Sequence, residues 1–103
     1  MIAIKLLSVV LTVIQPGVSG YDPTAQAIAE QRVEYMAQHN YRWHPPGLNK
    51  VWKVARFEGA GWGRVNQAPH TIDTCRPRRR GMRLVADAFA VGRWGTFRIR
   101  LWR

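Results

Sequence analysis

A chain of 103 residues has room for one domain and no more. Its 16 Lys and Arg against 6 Asp and Glu give a net charge of +10, a field that draws polyanions without choosing among them. A single cysteine excludes an internal disulfide framework and thiolate-rich zinc sites, and five Trp within 47% hydrophobic residues exclude a disordered tail.

Residues 1–20 read as a secretory leader. Lys5 supplies the positive start, Leu6 to Ile14 an uncharged apolar run, Gln15-Pro16-Gly17 the break, and Val18-Ser19-Gly20 the small residues before a cut at Tyr21. The run is shorter than the ~20 residues that span a bilayer, so it predicts export to the periplasm, envelope or medium rather than an anchor. Val9 to Ile14 also suit a buried strand; the order of the four features favours export.

The remainder, 21–103, reads as one small basic α+β domain. Asp22-Pro23 is a cap followed by a first-turn proline, and Ala25, Ile28, Ala29, Val33 and Met36 recur at helical spacing up to about His39. Asn40 and Pro45-Pro46-Gly47 end that helix. Tyr41 to Lys53 reads as a loop, Val54 to Trp62 as a short strand, and Asn66 to Arg80, with Pro69 and Pro77, as a surface loop. Met82–Val91 and Thr96–Trp102 flank Gly92-Arg93-Trp94-Gly95, which is the pattern of a β-hairpin. In the last strand Phe97, Ile99 and Leu101 alternate with Arg98, Arg100 and Trp102, predicting an apolar face and a guanidinium face. The fold expected is one N-terminal amphipathic helix on a small antiparallel sheet that ends in a C-terminal hairpin.

The inventory for chemistry is short. Both serines, Ser8 and Ser19, fall in the leader, leaving no serine nucleophile beyond it. Cys75 sits among arginines that favour a thiolate, but no histidine motif accompanies it, so it reads as a free loop thiol or one that pairs with another chain. Gly59-Ala60-Gly61-Trp62-Gly63 fails the spacing of a phosphate loop, and its glycines read instead as permitting a bulge or close backbone approach. His44, just past the helix, and Glu58, on the strand predicted over Val54 to Trp62, meet if that strand runs beneath the helix end. Such a pair holds a divalent metal ion weakly or exchanges protons; ordinary hydrogen bonding is the plainer use. Arg76, Arg78, Arg79, Arg80 and Arg83, joined by Arg98 and Arg100, form the candidate anion-binding patch. The Trp residues are interleaved with cations; core filling is the expected use for most, stacking on bases or sugars the alternative.

Three stretches, Ala25 to Ala37 leading to His44, Phe57-Glu58-Gly59, and Gly81-Met82 through the final hairpin, together resemble a reduced bacterial form of the CAP superfamily of secreted cysteine-rich and pathogenesis-related domains. The resemblance implies an α-β-α sandwich in which His44 and Glu58 match the family's first histidine and its carboxylate. The family's middle helices, with their second carboxylate and second histidine, have no counterpart, and Phe57-Glu58-Gly59 replaces a Gly-Glu-Asn order. Half of an ion-binding cavity implies binding more than catalysis.

The function expected is therefore a non-catalytic secreted or envelope-associated binding protein with a basic surface and no cofactor. Its partner would be an acidic polysaccharide, a lipid headgroup or an acidic protein. Two alternatives remain: a cationic nucleic-acid- or membrane-binding protein, and a CAP-like site with weak metal or hydrolase activity at His44 and Glu58.

Overall fold

Asp22 and Pro23 start the principal helix as their chemistry requires: the Asp22 carboxylate accepts from the Thr24 amide, and the proline occupies the first turn. The computed structural model describes residues 10–13 and 20–103. Its elements are β1 (Val10–Val13), α1 (Pro23–His39), α2 (Leu48–Val51), β2 (Phe57–Gly63), a 3-10 turn (Pro69–Thr71), β3 (Leu84–Gly92) and β4 (Gly95–Trp102). The strands form one antiparallel sheet in the order β1-β3-β4-β2, with β3 and β4 joined as the C-terminal hairpin by the two residues Arg93 and Trp94. Asn40, in the left-handed region at φ 50°, caps the end of α1, donating its amide to the Met36 carbonyl. The predicted leader lies outside the described residues except for β1 and Gly20; Val10 to Val13 pair with Gly92 to Phe89 of β3.

Size complementarity packs α1 onto the sheet. The helix buries Ala25, Ala29, Val33, Met36 and Ala37, and β3 meets it with Ala86, Ala88 and Ala90. These small residues bring the backbones close, while the large side chains come from β4, where Phe97, Ile99 and Leu101 are wholly buried. Gln26 adds a two-way clasp, donating to the Asp87 carbonyl and accepting from the Asp87 amide, each at 2.9 Å. At the far end Arg103 donates to Asp22 at 2.7 Å, and this hydrogen bond holds the Asp22 carboxyl below the usual carboxylate range.

The opposite face of the sheet is where the structure corrects the sequence. Residues 66–80 were expected to lie on the surface, yet Ile72 and Thr74 are buried, because this segment lies across β2. The glycines of β2 make that possible: a Cβ on Gly61 would overlap the Asp73 carbonyl oxygen, and one on Gly59 would meet the Cys75 carbonyl and Thr74. The predicted guanidinium face of β4 is thus roofed over. Arg98 pairs with Asp87 at 2.6 Å and donates to the Ile72 carbonyl, and Arg100 donates to the Thr74 hydroxyl at 2.9 Å. A second, smaller correction is the single helical turn α2 within the predicted loop of residues 41–53.

Tryptophan placement is the third correction. Trp43, Trp52, Trp62 and Trp94 are between 41% and 59% exposed, so the core is filled by Phe, Met, Ile, Leu, Val and Ala instead.

Candidate functional site

Two polar arrangements emerge, one buried and one on the surface. The buried one starts at Arg32, in the middle of the apolar stripe of α1 and 6% exposed. A guanidinium there needs partners, since an unpaired buried charge costs several kcal/mol. It finds Glu58 of β2, 3% exposed, in a two-pronged contact: Nε donates to Oε2, and Nη2 donates to Oε1 at 2.9 Å. Two further N–H groups go to the carbonyls of Pro45 and Pro46, at 2.8 and 3.1 Å. One side chain therefore ties helix, proline loop and sheet edge together.

The proline loop carries His44, and the tie delivers it to the same carboxylate. His44 Nδ1 lies 2.8 Å from Glu58 Oε1. The meeting of His44 and Glu58 foreseen from their positions does occur, but the carboxylate already serves Arg32. The Glu58 carboxylate accepts, so the neutral form of His44 carries its proton on Nδ1 and leaves Nε2 as the acceptor. Cys75 Sγ stands 4.0 Å from that Nε2 and 3.6 Å from the Glu58 carbonyl oxygen, to which the thiol donates. Cys75 is free and exposed. The histidine partner that no local motif disclosed is thus contributed from 31 residues upstream. Among the described residues no group of three His, Cys, Asp or Glu side chains has an arrangement suited to a metal ion.

The surface arrangement is aromatic and cationic. Trp62 separates two adjoining grooves. One is lined by Arg42, Gly63, Arg64, Val65, Gln67 and Trp94; the other by Trp43, Ala60, Gly61, Asp73, Thr74 and Cys75. Arg93 lies over the Trp94 ring, 5.2 Å from its centroid. The arginines singled out from sequence divide into two sets. Arg76, Arg78, Arg79, Arg80 and Arg83 are exposed, and only Arg76 has an ion pair, with Asp73 at 3.5 Å, among the described residues. Arg98 and Arg100 are turned inward onto Asp87 and Thr74 and do not join that surface. Burial lowers the Arg100 guanidinium below its ordinary value, and Arg98 beside it pushes in the same direction. The chain matches no family model, no curated protein and no solved structure.

Proposed function

We propose that this protein is a small, non-catalytic binding module of the cell envelope or exterior whose aromatic and basic face takes an acidic polysaccharide. The observation that carries the reading is the exposure of Trp43, Trp62 and Trp94 around two grooves, one of them lined by Arg42 and Arg64, with Arg93 over the Trp94 ring. The half of each indole left in water adds nothing to the core and forms an apolar surface open to a ligand. Flat indole faces stack on rings, and arginine forks take carboxylate or sulfate groups in pairs of hydrogen bonds. Asp22, Glu58 and Asp87 pair with Arg103, Arg32 and Arg98 rather than with the arginines that line the groove.

Export fits the leader-like order of residues 1–20, and among the described residues no helix is long and apolar enough to cross a membrane. In a form cut before Tyr21, β1 departs with the leader and the β3 edge it covers becomes free.

Affinity measured by calorimetry against a heparin fragment, a neutral polysaccharide and a single-stranded oligonucleotide tests this. Trp62→Ala is expected to weaken the heparin complex by about 1–3 kcal/mol, with affinity falling linearly in the logarithm of salt. Unchanged affinity in Trp62→Ala contradicts the stacking face, and tighter binding of the oligonucleotide at every salt reassigns the partner to nucleic acid.

A further inference from the structure

We propose that Cys75 is a thiol-capture site, in which His44, oriented by Glu58, removes the thiol proton and the thiolate forms a mixed disulfide with an anionic, low-molecular-weight disulfide. The proposal is independent of the polysaccharide reading and rests on a four-residue chain, Arg32–Glu58–His44–Cys75, drawn from a helix, a strand and two loops. Each link has a stated job. Arg32 holds the carboxylate, the carboxylate fixes the imidazole tautomer, and the bare Nε2 faces the sulfur, the arrangement in which a base activates a nucleophile.

Access and ligand chemistry come from the groove beside the sulfur. Cys75 is exposed at its edge, and Trp43 and Trp62 supply apolar walls for a flat substituent. A cation lies behind the wall. Arg100 is 8% exposed, its Nε is bound to Thr74 Oγ1, and its Nη2 has no hydrogen-bond partner. Asp73, which lines the groove, faces both Arg100 Nη2 at 3.7 Å and Arg76 at 3.5 Å, so two guanidinium groups offset its charge. A disulfide carrying a carboxylate meets complementary charge there.

In the reaction the S–H turns from the Glu58 carbonyl to His44 and gives its proton to Nε2, and the sulfur lone pair forms a new S–S bond to one sulfur of the incoming disulfide. The old S–S bond breaks with its electron pair on the departing sulfur, which takes the proton back from His44 as a thiol. No other oxidant is needed. The 103 residues hold no second cysteine to resolve the adduct, so it persists until an external thiol reverses it. That distinguishes capture from an oxidoreductase cycle.

The test follows the absorbance released from dithiobis-nitrobenzoate, which is anionic, and from neutral dithiodipyridine, at neutral pH, with adduct mass as confirmation. The native chain is expected to react at least about tenfold faster than the same chain in concentrated urea, below the usual span of general-base effects because the S···N separation is long. His44→Gln still donates to Glu58 but offers no base, and it is expected to fall to the unfolded rate while keeping its circular dichroism and melting curve. Arg76→Ser is expected to lower the preference for the anionic reagent over the neutral one. A native rate no higher than that of the unfolded chain overturns the proposal, as does His44→Gln reacting as fast as the native protein.

Discussion

Glu58→Ala is expected to cost about 3–5 kcal/mol of folding free energy, because it removes the carboxylate that pairs with a guanidinium buried inside the helix–sheet interface. A domain of this length holds about 5–15 kcal/mol in total, so the variant falls near the edge of stability. The size follows from asymmetry: an intact buried pair contributes little net, but an abandoned charge keeps its full desolvation cost. Replacing both partners by apolar residues, Arg32→Met with Glu58→Leu, is therefore expected to recover most of the loss. Urea denaturation of the three proteins decides it. A loss under about 1 kcal/mol in Glu58→Ala would mean that water reaches Arg32 freely and that the buried tie is not one.

The second large effect belongs to a methyl group. Gly61→Ala is expected to destabilise by about 1–3 kcal/mol or more, since the new Cβ would overlap the backbone carbonyl of Asp73 rather than a side chain able to swing aside. Relief requires lifting the segment through Thr74 and Cys75 from β2, which also withdraws the thiol from His44. Denaturant midpoints and the Cys75 reaction rate should therefore fall together. A variant as stable as the parent would show that this segment does not lie on the glycine row.

How much of this was legible beforehand depends on where each constraint sits. Local rules placed α1 and its caps, because Asp22-Pro23 and Asn40 act within a turn of themselves. They also placed the hairpin, since Gly92 and Gly95 bracket a two-residue turn between alternating strands. The roofing of β4 was not legible: Phe97, Ile99 and Leu101 alternate with Arg98 and Arg100 as a half-exposed strand does, and only tertiary contact shows the arginines covered. The glycines of β2 held the available signal, a row at alternate positions with no side chain on one face. The tryptophans misled for a related reason. Indole is usually buried in small domains, and nothing in the sequence distinguishes a core Trp from one left out for a ligand.

The same division holds at the site. His44 and Glu58 were foreseen as neighbours from the order helix, loop, strand. Arg32 was not, because a lone cation in an apolar stripe reads as a residue at the edge of the face. Cys75 joined them only through the path of residues 72–75 across the sheet, a long-range feature that spacing along the chain does not encode.

The most direct trial of the binding account is a titration of the isotopically labelled protein with a heparin fragment, reading the five indole N–H signals by NMR. The account predicts that Trp43, Trp62 and Trp94 shift with one common affinity, while Trp102, whose Nε1 is buried without a partner, stays in place. Shifts confined to the arginine backbone of residues 76–83, with every indole signal unmoved, would contradict it.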